Sequence, residues 1–113
     1  MKTLYLAGPM RGIKHSNFPA FRVAKDALLR AGYAVLSPAD MDNLEGFNEY
    51  FCVADAEFLE MAWARDFDTI ERSDGVALMP GWERSEGALV EEQHAHTMGI
   101  PAKAVEVWLE AAK

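Results

Sequence analysis

The chain has 113 residues, 50% hydrophobic and 26% charged, a balance that fits one globular domain with a single core and excludes a disordered tract. A net charge of −7 excludes a basic surface for long nucleic acid but leaves room for a single nucleotide at one local anion site. The lone cysteine, Cys52, excludes an intramolecular disulfide, and the apolar run after Met1 stops at Gly8-Pro9, too early for a signal peptide or membrane span; a cytoplasmic protein with one domain over residues 1–113 is expected.

Leu4 to Ala7 is short and apolar and ends at Gly8-Pro9, which predicts a buried strand and a tight turn. From Asn17 to Ala31, Phe18, Phe21, Ala24, Leu28 and Ala31 form one helical face, with Ser16 or Asn17 as N-cap and Gly32 as the stop. Tyr33 to Leu36 reads as a second strand, closed by Ser37-Pro38. Ala39 to Val53 has no clear period and reads as a long functional loop or a broken short helix. Asp55 is placed to cap a helix to about Arg72, with Phe58, Met61, Ala62, Phe67 and Ile70 as its apolar positions. Gly75 to Met79 is the third strand. A helix from Ser85 to Met98 follows and stops at Gly99; Ala102 to Val107 is the fourth strand, with a short helix or tail behind it. Such alternation predicts an α/β protein with a parallel sheet, helices on both faces, and a ligand at the carboxyl ends of the strands.

Three segments leave those ends. In Gly8-Pro9-Met10-Arg11-Gly12 two glycines permit a sharp turn and close approach to a ligand, and Arg11 offers a donor fork suited to phosphate. The glycine spacing fits neither a dinucleotide fingerprint nor a P-loop, and the plain alternative is a strand-ending turn with a solvated arginine. In Pro80 to Ala88, Ser85 is a good N-cap whose helix leaves free N–H groups for an anion. Gly87 costs that helix about 1 kcal/mol relative to alanine, which implies either close packing on the sheet or close approach of a ligand. Trp82, in a loop beside this helix start, has an aromatic face for a base.

Glu91 lies six residues after Ser85 and four after Gly87, where a carboxylate borders the anion pocket if that face looks inward. Glu92 reads as a solvated charge. Asp66 and Asp68 sit late in their helix, where the macrodipole disfavours acids, so an ion pair with Arg65 or Arg72 or a functional duty is needed. His94 and His96, two apart, point in different directions and do not make a metal pair. Cys52, Trp63 and Trp108 read as packing.

These residues, in this order, resemble the nucleoside 2-deoxyribosyltransferase-like superfamily. The likeness is carried by Tyr5 to Gly12, Arg65-Asp66, Ser73-Asp74, Leu78 to Ala88 and Glu91, and within the superfamily it is nearest to small bacterial and phage proteins of uncharacterised function. The resemblance implies a flavodoxin-like (Rossmann-like) three-layer αβα fold with a parallel sheet of four to five strands. It also implies cleavage of the N-glycosidic bond of a nucleoside or nucleotide. The family's nucleophilic glutamate follows a serine or aspartate by six residues and a glycine by four, which selects Glu91. Its second acid lies eight residues before the aspartate that opens the next strand, which selects Asp66. A tyrosine of the first strand steadies the nucleophile, and Tyr5 has that place.

Gly8, Pro9, Met10, Arg11, Gly12, Trp82, Ser85 and Gly87 are the expected substrate-binding residues. Family transferases of free nucleosides tend to carry aspartate at the Ser85 position, whereas hydrolases of nucleoside 5′-monophosphates resemble this chain. A carboxylate there repels phosphate, so a monophosphate substrate is expected. Catalysis needs no metal and no organic cofactor. Exposed sheet edges and the family's shared active sites imply a homodimer or higher homo-oligomer, with no membrane partner. The alternatives are a base-exchanging deoxyribosyltransferase and a non-catalytic nucleotide-binding module; a phosphohydrolase lacks the acidic metal-binding cluster expected after the first strand.

Overall fold

A computed structural model describes residues 2–10, 17–44 and 56–113. Along them run β1 (Thr3–Ala7), α1 (Phe18–Arg30), β2 (Ala34–Leu36), α2 (Pro38–Leu44), α3 (Ala56–Glu71), β3 (Gly75–Leu78), α4 (Glu86–Thr97), β4 (Ala102–Ala104) and α5 (Val105–Ala111). The four strands pair in parallel in the order β2-β1-β3-β4. This is the flavodoxin-like order, in which the direction of sheet growth switches between β1 and β3 and opens a crevice there. Among the described residues no helix is long and apolar enough to cross a membrane.

Strand alternation assigns the two layers of helices. Leu4 and Leu6 of β1 point to one face with Ala77 and Met79, where they meet Phe18, Phe21 and Leu28 of α1 and Val105 and Trp108 of α5. Tyr5 and Ala7 point to the other face with Val76 and Leu78, where they meet Ile70 of α3 and Ala95 of α4. Tyr5, Leu4, Leu6, Phe18, Phe21, Leu28, Ile70 and Val76 are fully buried. Each apolar side chain among them contributes roughly 1.5–3 kcal/mol. The one phenol in that set therefore faces α3 and α4.

Helix ends follow local chemistry. α4 starts where the Ser85 side chain accepts the Ala88 N–H at 3.2 Å, and α1 and α4 are followed by Gly32 (φ 99°) and Gly99 (φ 74°), as the sequence predicts. Asn17 does not cap α1 through its side chain. It adopts a left-handed conformation (φ 61°) and its Nδ2 donates to the Pro9 carbonyl at 2.9 Å, which ties the loop after β1 to the start of α1.

Of the irregular stretch from Ala39 to Val53, the described part takes the short-helix alternative: α2 opens with Pro38 at its first position, where a missing N–H costs nothing, and Asp40 in its first turn suits the dipole. One boundary differs from the sequence reading. The fourth strand ends at Ala104 rather than Val107. Val105 and Trp108 are both buried, a three-residue spacing that fits a helix, and the Trp108 indole donates to the Val76 carbonyl at 2.9 Å. That anchorage draws Val105–Val107 into α5.

Candidate active site

The buried stripe of α3 runs Ala62, Asp66, Thr69 and Ile70 and continues to Ser73 just past its end, helical spacing that turns Asp66 to the sheet among apolar neighbours. Thr69 and Ser73 satisfy their hydroxyls on carbonyls four residues back, Arg65 and Thr69, at 2.8 Å each. On α4 the corresponding stripe is Ala88 and Ala95, both buried. Two alanines let the helix backbone approach the sheet closely, and Glu91, three residues after Ala88, is carried down onto β1. There the Tyr5 hydroxyl donates to Glu91 Oε2 at 2.5 Å.

Asp66 completes the cluster from the side of α3. Arg65 Nε and Nη2 donate to its Oδ1 at 3.0 and 2.8 Å, and the same Nη2 donates to Asp42 Oδ1 on α2 at 2.6 Å. Asp42 and Asp66 are both buried. Thus β1, α2, α3 and α4 each bring polar side chains to one place under the sheet.

The electrostatics follow from burial. Glu91 is raised well above its ordinary value, first by desolvation and then by the nearby Asp66 carboxyl; the Tyr5 hydrogen bond works in the opposite direction. Asp66 is raised by burial, against which the Arg65 guanidinium pulls downward. Burial likewise raises the Tyr5 phenol, with Glu91 and Asp66 adding to the effect, so the phenol stays a hydrogen-bond donor. Burial disfavours the Arg65 cation, but Asp66 and Asp42 outweigh it and hold the charge in place. Two facing carboxyls pushed upward share a proton: burial and Asp66 favour it on Glu91, while Arg65 favours the charge on Asp66.

A family model matches residues 2–104, nearly the whole chain: that of DUF4406, a domain of unknown function. The chain belongs to the DUF4406 family. No curated protein matches it. Among solved structures, this DUF4406 chain is similar to the 2-deoxyribosyltransferase of the psychrotolerant bacterium Bacillus psychrosaccharolyticus, described as a biocatalyst for the synthesis of antiviral and antitumoral nucleosides. The two share 20% identity over 88% of this chain and 69% of the enzyme, with a TM-score of 0.64. At that identity the likeness is one of fold.

The other residues singled out in the sequence fall around this cluster. Gly8 lies against Met79, whose Cβ is 2.8 Å from where a Gly8 Cβ would stand, so the loops after β1 and β3 run in contact. Pro9 lies beside Gly81, which takes φ 88°. Met10 packs against the α1-side core. Arg11, Gly12 and Cys52 lie outside the described residues, as does the Phe58 side chain. Trp82 begins a 3₁₀ turn (Trp82–Arg84) and rests half-buried on the cluster that contains Tyr5. Around Gly87 an added Cβ would meet nothing within 4 Å, so close packing does not explain that glycine.

His94 stacks on Phe67, with ring centroids 4.5 Å apart, and its Nε2 lies 3.2 Å from Glu71. Among the described residues no group of three or more His, Cys, Asp or Glu side chains is placed to hold a metal ion. Asp68 pairs with Arg72 at the surface at 2.7 Å, the plain role considered for these acids, while Asp66 pairs with Arg65 at 2.8 Å in a buried setting. Sequence reasoning missed Asp42 as a member of the cluster. Its only signal was its place in the aperiodic segment after β2, at a carboxyl end of the sheet.

Proposed function

We propose that the protein cleaves the N-glycosidic bond of a nucleoside or 2′-deoxynucleoside 5′-monophosphate, with Glu91 as nucleophile, Asp66 as general acid and Tyr5 steadying Glu91. The observation that carries this reading is the junction of Tyr5, Glu91 and Asp66, from three separate elements, beside the β1–β3 switch point. A buried Asp66 facing a half-buried Glu91 that accepts a hydrogen bond suits a reaction that passes through an oxocarbenium-like sugar.

In the first step a Glu91 oxygen bonds to C1′ as the bond from C1′ to the base nitrogen breaks. The electron pair leaves with the base, which takes from Asp66 the proton that Glu91 hands to it as Glu91 becomes the nucleophilic carboxylate. In the second step water attacks C1′, gives its proton to the Asp66 carboxylate, and the bond to Glu91 breaks. Sugar phosphate is released and both carboxyls return to their starting states. A second base in place of water gives base exchange, the reaction of a 2-deoxyribosyltransferase, and the shared fold keeps that reading as the alternative.

Support for a monophosphate comes from the start of α4. Ser85 is neutral, the helix N-terminus favours an anion, and the space beside Gly87 is open. The scheme as written uses no metal or organic cofactor. The test is incubation with the common nucleosides and their 5′-monophosphates, with and without a second base, and chromatographic separation of the products. Free base and sugar phosphate support the reading. Exchange without hydrolysis supports the alternative, and binding without turnover supports a nucleotide-binding module.

A further inference from the structure

Arg65 and its partner Asp42 belong to the cluster, yet the reaction scheme gives neither of them a part. Neighbouring positions on a helix ordinarily point apart, yet Arg65 folds back so that Nε and Nη2 both reach Asp66 Oδ1, at 3.0 and 2.8 Å. Its Nη2 also takes Asp42 Oδ1 at 2.6 Å, so two carboxylates from different helices rest on one guanidinium nitrogen. The arrangement is buried: the Arg65, Asp42 and Asp66 side chains are 15%, 7% and 10% exposed. A buried cation shared by two acids is a costly feature for a small domain to keep for stability alone.

We propose that Arg65 is a positioning residue, shared between Asp42 and Asp66 so that the Asp66 carboxyl is held facing Glu91 yet remains free to give and regain a proton. This rests on the reading of Asp66 as the general acid. A guanidinium paired with Asp66 alone would hold it as a carboxylate, useless for protonating a leaving base. With no guanidinium, Asp66 would keep its proton too firmly and lose its orientation. Asp42 draws part of the cation away, and the balance between the two acids sets the protonation of Asp66. Among the described residues, the groups that face Asp66 are Tyr5 from β1, Asp42 from α2 through Arg65, Arg65 from its own helix α3, and Glu91 from α4.

Opposite responses of one carboxyl to two substitutions are the signature. In protein carrying ¹³C at the aspartate side-chain carboxyls, the Asp66 resonance is followed through a pH titration in the native chain and in Asp42→Asn, Arg65→Gln and Arg65→Lys. Asp42→Asn removes one acid that draws on the guanidinium, and the midpoint falls by about one pH unit; Arg65→Gln removes the cation, and it rises by about one unit or more. Arg65→Lys keeps the charge and loses the fork, so the midpoint stays near the native one while kcat falls; KM is unchanged. The lysine variant and Asp42→Asn decide the matter if Arg65→Gln does not fold.

On the same substrate panel, the four common 2′-deoxynucleoside 5′-monophosphates, the alkaline limb of kcat/KM moves with the resonance. An Asp66 midpoint that stays put in Asp42→Asn, or moves the same way in Asp42→Asn and Arg65→Gln, overturns the proposal. Retention of base release by Glu91→Ala overturns the catalytic reading instead, and leaves the titration result standing by itself.

Discussion

The Tyr5 hydroxyl, on the central strand, donates to Glu91 Oε2 at 2.5 Å across 86 positions of sequence. The phenol is fully buried, so its hydroxyl is committed to protein partners. Tyr5→Phe removes the donor that favours the Glu91 carboxylate, and hydrogen bonds to charged groups are worth about 1.5–3 kcal/mol. The expected result is a fall in kcat of about 10- to 100-fold with KM little changed, read from steady-state base release. A kcat within twofold of native would remove Tyr5 from the reaction.

Asp66→Asn keeps the size of the side chain and removes the proton it supplies. Base release should slow by about 10²- to 10⁴-fold with natural substrates. The defect should shrink sharply with a substrate whose leaving group needs no proton, such as a p-nitrophenyl deoxyriboside 5′-phosphate. An equal defect on both substrates would assign Asp66 a structural part.

The raised carboxyls also predict how stability depends on pH. A carboxyl raised in the folded state binds its proton more tightly there than in the unfolded chain, whose glutamates titrate near 4.5. Glu91 therefore contributes most below that value, and its contribution is lost as pH rises toward the folded value. Glu91→Gln, which cannot ionise, should have a higher Tm than the native protein at pH 8. The gap should close as pH falls to about 4.5, measured by thermal melts followed by circular dichroism. A gap that is constant with pH contradicts the assignment of a raised Glu91.

Two glycines should answer in opposite ways to alanine. At Gly8 the new methyl would meet the Met79 side chain at 2.8 Å, and overpacking of this kind costs roughly 1–3 kcal/mol. At Gly87 the space is open and the position is helical, so alanine should stabilise by about 0.5–1 kcal/mol. If substrate approaches α4 there, Gly87→Ala also raises KM. Denaturant melts and steady-state kinetics on the two variants separate packing from binding.

Much of this architecture was legible in the sequence because its signals are local. The apolar strand cores, the serine before α4 and the glycines after α1 and α4 act within a turn or two of where they stand. α2 was legible only as one of two alternatives, since Pro38 reads as a strand stop whether or not a helix follows. The end of β4 was not legible: Val105-Glu106-Val107 alternates like a strand until Trp108 binds the Val76 carbonyl 32 positions away. The same limit applies to the site. Spacing singled out Glu91 and Asp66, yet the partnership of Asp42 with Arg65 spans 23 positions and two helices and exists only in the fold.

The most direct test of the central claim is Glu91→Ala assayed for release of free base from the 2′-deoxynucleoside 5′-monophosphates, with circular dichroism as the check on folding. The account predicts a folded protein whose base release is lost by at least about 10³-fold. A folded Glu91→Ala protein that releases base at the native rate would contradict it.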